Sequence, residues 1–110
     1  MLLSGLVTNA QLNVTRITGE IIEKITPALS LNTDQKPQVE EAIAEFLTKK
    51  IDILPVEKTD APAYASKFNQ LNGAFISKLK SILVAKQMTS FLGLKPKINN
   101  PANVLSHLFY

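Results

Sequence analysis

Residues that could carry nucleophilic or acid–base chemistry are few in this sequence. It contains one histidine, His107, which directly follows Ser106. A serine–histidine pair acts as a nucleophile and base when an acid orients the imidazole, and the three groups must meet in space. The last acidic residue of the chain is Asp60, far from this pair in sequence. We therefore interpret His107 as a structural residue of an apolar C-terminal segment.

Carboxylate pairs and metal ligands are equally scarce. Glu41 and Glu45 are four residues apart and share one face of a predicted helix. Di-metal centres in helical bundles also use Glu-x-x-His elements, and this sequence has none. The absence of cysteine excludes thiolate nucleophiles, disulfides and cysteine-ligated zinc. We expect a solvated face at Glu41 and Glu45, and a protein with no catalytic residues, no cofactor and no metal.

Charge is distributed unevenly along the chain. All nine acidic residues lie within residues 1–60, and only lysines carry charge at neutral pH beyond them. Such asymmetry can mark a protein that binds nucleic acid or anionic membranes. A basic-surface binder would use Lys67, Lys78, Lys86, Lys95 and Lys97. The simpler interpretation is that the two halves pack together and partly neutralise each other. Arg16 is the only arginine, which disfavours nucleic acid because arginine is the usual phosphate-recognition residue.

The first ten residues have features of a secretory signal peptide. An apolar run over residues 2–7 precedes Thr8 and Ala10, which have the spacing of the −3 and −1 positions of a cleavage site. The run is short and lacks a basic region, as expected if the reading frame starts at an internal Met. We predict that residues 1–10 are a signal-peptide remnant and residues 11–110 a single helical domain, periplasmic or secreted. If residues 1–10 are structural, the protein is cytoplasmic.

The remaining elements are predicted to be helices, because apolar residues recur every three or four positions. The first helix is expected to end or kink near Pro27, and no segment reaches the ~20 apolar residues that span a bilayer. The stripe of this helix is Val14, Ile17, Ile21, Ile25 and Leu29.

The second helix is predicted to begin at Asn32, with Gln35 reaching back to its N–H as in a capping box. Lys49 and Lys50 come late in this helix, where the helix dipole favours cations. Pro55 interrupts the pattern, so residues 52–61 are expected to form a connector. The stripe of the helix is Val39, Ile43, Phe46, Leu47 and Ile51.

Asp60 is expected to cap a third helix that continues to Phe91 or Leu92 and stops at Gly93. Asn100 and Pro101 should open a short terminal helix. The predicted fold is all-α, a helical hairpin or irregular bundle of three main helices plus a short C-terminal helix. The stripe of the third helix is Tyr64, Phe68, Leu71, Phe75, Leu79, Ile82 and Leu83.

A Leu-x-x-x-Gln pattern occurs twice. The two copies are Leu31 with Gln35, and Leu83 with Gln87. The pair resembles the paired Leu-Thr-x-x-Gln motifs of the small periplasmic Spy-like helical proteins, although Asn32 and Val84 stand where that family has threonine. The resemblance implies a helical-hairpin dimer in the periplasm that takes part in stress response or holds unfolded proteins.

An aromatic and apolar stripe on the third helix is the candidate interaction surface. It consists of Tyr64, Phe68, Phe75 and Leu79. At helical spacing these residues form either a core or a face for an apolar client or a second copy of the chain. We predict a non-catalytic secreted interaction protein that binds unfolded or partner proteins and forms a homodimer. The alternatives are the basic-surface binder and a purely structural homo-oligomer.

Overall fold

The structure, a computed structural model, describes residues 9–110, with side chains from Asn13 onward. Over this range the chain forms helices and no strand, which confirms the predicted all-α class of three long helices and a short C-terminal one. The prediction for residues 1–10 lies outside the described residues except for Asn9 and Ala10, which begin the first helix. The helices are α1 (Asn9–Leu29), α2 (Gln35–Thr59), α3 (Ala61–Ile82), α4 (Ala85–Leu92) and α5 (Ser106–Phe109).

Helix α1 buries one apolar stripe and ends in a tight turn two residues after Pro27, close to the predicted end. Ser30 adopts a left-handed conformation, with φ of 55°. The Leu31 N–H then donates to the Thr26 carbonyl oxygen at 3.0 Å, as in a Schellman turn. This turn reverses the chain and leads it into α2. The buried stripe consists of Val14, Ile21, Ile22, Ile25 and Leu29.

Helix α2 is longer than predicted. It continues through Pro55 to Thr59, so the expected connector over residues 52–61 is wrong. Pro55 is exposed. Its ring removes one helical hydrogen bond and crowds the carbonyl group four residues back, but the helix continues on both sides of it. Asp60 alone separates α2 from α3: its N–H donates to the Val56 carbonyl oxygen at 2.8 Å, and its carboxylate accepts from the Ala63 N–H at 3.1 Å. One residue therefore ends one helix and caps the next, the second role as predicted.

Helix α3 is shorter than predicted. It ends at Ile82, whereas the sequence pattern predicts an end at Phe91 or Leu92. Leu83 and Val84 are extended, and α4 begins at the next residue. Neither glycine nor proline marks this break. The prediction of one long helix is wrong because a new helix start, with Gln87 accepting from the Val84 N–H at 3.0 Å, interrupts the pattern.

The C-terminal segment packs on the core through turns and the four-residue α5. Leu105 and Leu108 are buried, so the end of the chain docks on the core. Residues 101–105 form turns in place of the predicted first turn of helix. Two hydrogen bonds hold the segment: Asn100 N–H donates to Ser106 Oγ at 2.9 Å, and the Tyr110 hydroxyl donates to the Pro96 carbonyl oxygen at 2.6 Å.

The core contains a continuous run of aromatic rings that joins α2, α3, α4 and α5. Neighbouring ring centroids are 4.8 to 6.1 Å apart. Such pairs add to the stability that burial of the rings already provides. The run consists of Tyr64, Phe68, Phe46, Phe75, Phe91 and Phe109.

The candidate interaction surface on α3 is part of this core. Tyr64, Phe75 and Leu79 are buried and Phe68 is half-buried, because α2 packs most extensively against α3. In particular, the Phe75 ring stacks on Phe46 of α2 with centroids 4.8 Å apart. These four residues are therefore not a free surface in the folded chain, and the packing supports the alternative that the stripe is core.

None of the helices over residues 9–110 is long and apolar enough to cross a membrane.

Candidate functional site

A cavity of about 460 Å³ opens between α1, α2 and the C-terminal segment. Its volume lies in the ~300–1,000 Å³ range of small-molecule sites, which combine an apolar wall with a few polar groups. The apolar wall is formed mainly by Val14, Ile17, Leu47, Ile51, Leu54 and Pro101. The polar or titratable groups of the wall include Lys50, Glu57, Tyr64 and His107.

One face of α2 supplies most of the floor of the cavity. Leu47, Lys50, Ile51 and Leu54 are three or four residues apart and therefore lie on the same side of the helix. The passage of α2 through Pro55 adds a further turn, which places Glu57 at the same cavity. Had the helix ended before Pro55, Glu57 would have belonged to a connector.

Lys50 is a buried cation in this wall. The residue is 8% exposed, its Nζ donates to the His107 carbonyl oxygen at 2.8 Å, and it lies 5.6 Å from the centroid of the Phe68 ring. Burial lowers the pKa of Lys50 from 10.5 to about 8, and the more distant Glu57 acts in the opposite direction. The ammonium is thus placed where its charged form is disfavoured.

Lys50 also lacks an acidic partner. The ion pairs in the described part of the chain join Arg16 to Glu20, and Glu45 to both Lys49 and Lys78. All nine acidic residues of the sequence lie within this described part, so no Asp or Glu side chain approaches Lys50 within 4.0 Å.

The interpretation of Lys50 as a cation at the end of a helix is wrong. Lys50 lies in the middle of α2, nine residues before its last residue, Thr59. A usable sequence signal was present: Val39, Ile43 and Leu47 form a helical stripe, and position 50 continues it three residues later. A lysine on an apolar stripe packs its stem against the core, and its ammonium stays in water only where the stem is long enough to reach it. Lys49 lies off this stripe and is exposed.

Ser106 and His107 take part in the packing of the C-terminal segment. Ser106 is buried and its Oγ accepts the Asn100 N–H. Burial lowers the pKa of His107, and the positive charges of Lys50 and Arg16 act in the same direction, against Glu20. The structure therefore places His107 beside a cation, where its neutral form is favoured.

The Tyr64 hydroxyl donates to the Tyr110 carbonyl oxygen at 3.3 Å, across one end of the cavity. Burial, with a smaller effect of Glu57, raises the pKa of Tyr64. The hydroxyl therefore stays protonated near neutral pH and holds the last residue against α3.

Glu41 and Glu45 lie on an exposed face of α2. Glu45 accepts from Lys78 Nζ at 3.1 Å and from Lys49 Nζ at 3.2 Å, and these bonds lower its pKa. Among the described residues no group of three or more His, Asp or Glu side chains is arranged to hold a metal ion. The Lys78 bond links the acidic and basic halves of the chain, and the lysines after residue 60 are all exposed.

The two Leu-x-x-x-Gln motifs meet in space through their glutamines. Gln35 Nε2 donates to Gln87 Oε1 at 2.7 Å, and Gln87 Nε2 donates to Gln35 Oε1 at 2.9 Å. Each Oε1 also accepts the backbone N–H at the second position of its own motif, Asn32 at 3.1 Å and Val84 at 3.0 Å. The predicted contact of Gln35 with the Asn32 N–H is confirmed. We call these two side chains the glutamine clasp.

The clasp has an approximate two-fold arrangement. Gln35 Nε2 donates to the carbonyl oxygen of Ile82, the residue before the second motif, at 3.2 Å. Gln87 Nε2 donates to that of Ser30, the residue before the first motif, at 3.4 Å. The motifs thus tie the α1–α2 corner to the α3–α4 corner. A second cavity of about 430 Å³ lies beside the clasp, but the clasp amides bond to each other and to backbone.

Neither the protein-family models nor the curated proteins nor the solved structures that were compared with this chain give a match.

Proposed function

We propose that this protein is a non-catalytic interaction protein that binds apolar groups of a partner in the cavity between α1, α2 and the C-terminal segment. The single observation that carries the proposal is the cavity itself, with its apolar wall and its volume of about 460 Å³. The partly exposed Leu54, at 40% exposure, belongs to this wall and is accessible to an incoming partner.

The nearest model for the partner is that of the Spy-like proteins, which hold unfolded or partner proteins outside the cytoplasm. Two features support it: the signal-like residues 1–10 and the paired Leu-x-x-x-Gln motifs, whose glutamines form the clasp. The proposal moves the binding surface from the α3 stripe to the cavity, because the stripe is buried in the folded chain.

An aggregation-suppression assay tests this function. The protein is mixed with a reduced, aggregation-prone model protein, and light scattering is followed with increasing amounts of the chain. The wild type should lower the scattering, and Leu54→Glu should weaken this effect at least threefold, because it places a carboxylate in an apolar wall. Leu92→Glu is the matched control, since Leu92 is 51% exposed on α4 and does not line the cavity.

Salt separates the proposal from the basic-surface alternative. Binding to anionic partners weakens steeply as salt rises, whereas apolar binding should change little between low and moderate salt. Equal suppression by the two glutamate variants, or no suppression by the wild type, would contradict the cavity as the partner site.

A further inference from the structure

The Lys50 ammonium has unused capacity to bind an anion. An ammonium has three N–H donors, and in the described part of the chain Lys50 has one hydrogen-bond acceptor, the His107 carbonyl oxygen. It has no acidic side chain within 4.0 Å, although buried charges are normally paired. An anion in the cavity would supply both the missing charge and the missing acceptors.

The rest of the wall determines what kind of anion fits. Ile17, Ile51 and Leu54 line the same cavity as Lys50, so a small inorganic anion would leave this apolar surface uncovered. A ligand with an apolar chain would cover it. Glu57 also lines the cavity, and its negative charge disfavours a head group with more than one charge.

We infer that the cavity binds a monocarboxylate with an apolar chain, the chemical class of the medium-chain fatty acids. The carboxylate accepts from Lys50 Nζ, and the chain lies against Ile17, Ile51 and Leu54. This inference rests on the proposed function, because it names the ligand class of the same cavity.

Calorimetric titration with three ten-carbon probes tests the inference: decanoate, decanol and decylamine. They share the apolar chain and differ in the charge of the head group. Decanoate should bind the wild type at least tenfold more tightly than either decanol, which lacks a charge, or decylamine, whose charge repels Lys50. The titrations are repeated with Lys50→Met and Lys50→Gln, and Lys49→Met is the control because Lys49 is exposed and paired with Glu45.

The expected result is that both Lys50 variants lose the preference for decanoate over decanol, while Lys49→Met keeps it within twofold. Circular dichroism confirms that each variant has the wild-type helix content. If decanoate and decanol bind the wild type equally, the carboxylate inference is overturned and the cavity remains an apolar binding site. If none of the probes binds, both the inference and the proposed cavity are overturned. A decanoate preference that survives in both Lys50 variants also overturns the inference.

Discussion

Lys50 is charged and buried, and these two properties oppose each other in the free protein. Its pKa of about 8 in the folded chain lies below the ordinary value of 10.5. Between these values the unfolded chain holds the proton and the folded chain does not, so the stability contributed at this position rises with pH across that window. At neutral pH the full penalty of the buried charge is present.

Lys50→Met should therefore stabilise the free protein at pH 7, by about 2 kcal/mol once the lost hydrogen bond to His107 is subtracted. The gain should shrink between about pH 8 and pH 10.5, where the folded wild type has lost its buried proton and the unfolded chain still holds it. Urea unfolding of both proteins at several pH values measures this.

Tyr64 and His107 are present in both proteins, so their own titration largely cancels in the comparison. The pKa of Tyr64 is raised from 10.0, and that of His107 is lowered from 6.5. A variant that is less stable than the wild type at pH 7, or a difference that does not change with pH, would refute the cost assigned to Lys50.

Val84 is an incomplete helix cap. It precedes α4 with extended backbone, and its carbonyl oxygen accepts the Met88 N–H at 3.0 Å. Its side chain has no oxygen to accept the N–H of Gln87, whereas Asn32 Oδ1 accepts the Gln35 N–H at 2.8 Å at the matching position of the first motif. Val84 is 61% exposed, so replacing it removes little buried apolar surface.

Val84→Thr should raise the free energy of unfolding by about 0.5–1 kcal/mol, because threonine has nearly the shape of valine and supplies the cap oxygen. Val84→Ala is the control without a hydroxyl. Equal stabilities of these two variants in urea unfolding would show that the cap oxygen contributes nothing.

At the scale of elements, the spacing of apolar residues predicts which segments are helical. The ends of the helices depend on hydrogen bonds between distant residues, which this spacing does not reveal. Met88 and Phe91 follow the stripe from Tyr64 to Leu83 after a step of five residues. All these residues except Phe68, Leu71 and Ile82 are buried. What stops α3 is the start of α4, where Gln87 accepts the Val84 N–H. Gln35, 52 residues earlier in the chain, donates to the same Gln87 side chain. The repeated motif can be seen in the sequence, but the contact between its two glutamines becomes visible only in the folded structure.

The glutamine clasp should behave as one energetic unit. Gln35→Ala and Gln87→Ala should each destabilise the protein by about 1–3 kcal/mol, because each leaves the other amide without its partner. The double variant should be less destabilised than the sum of the singles. Gln38→Ala is the control, since the Gln38 side chain is exposed and, within the described residues, donates only to the Asp34 carbonyl oxygen at the start of the same helix.

A thermodynamic cycle from urea unfolding measures the coupling. Strictly additive effects of the two clasp substitutions would mean that the reciprocal hydrogen bonds do not contribute to stability, and that the corners are held by apolar packing alone.

At the scale of the whole molecule, the candidate site could be predicted only in part. The apolar stripes and a docked C-terminal segment were predictable from the sequence, but the turns over residues 101–105 were not. The cavity lies between α1, α2 and this C-terminal segment. No local pattern specifies such a gap. Of the two alternatives for the α3 stripe, the packing supports core: α2 covers that face, so that Phe75 and Leu79 are 4% and 0% exposed.

Self-association of the chain stays a prediction. The α3 stripe is not available as a dimer interface, because most of its residues are buried within the folded chain. Leu79→Ala should lower the free energy of unfolding by roughly 2–5 kcal/mol, as for other buried leucines, and should leave the sedimented mass of the folded protein unchanged. Sedimentation equilibrium compares the two proteins against the monomer mass of 12.1 kDa. If the wild type sediments as a dimer and the folded Leu79→Ala variant sediments as a monomer, the dimer interface lies on α3.

The most direct measurement of the central claim, that the cavity is the binding site, is a map of amide chemical-shift changes on the ¹⁵N-labelled full chain titrated with decanoate. The account predicts the largest changes around the cavity, at Ile17, Leu54 and His107, and small changes at Val84 and Ser90 beside the glutamine clasp. The largest changes at the clasp or on the exposed face of α3, with the cavity residues unmoved, would contradict it.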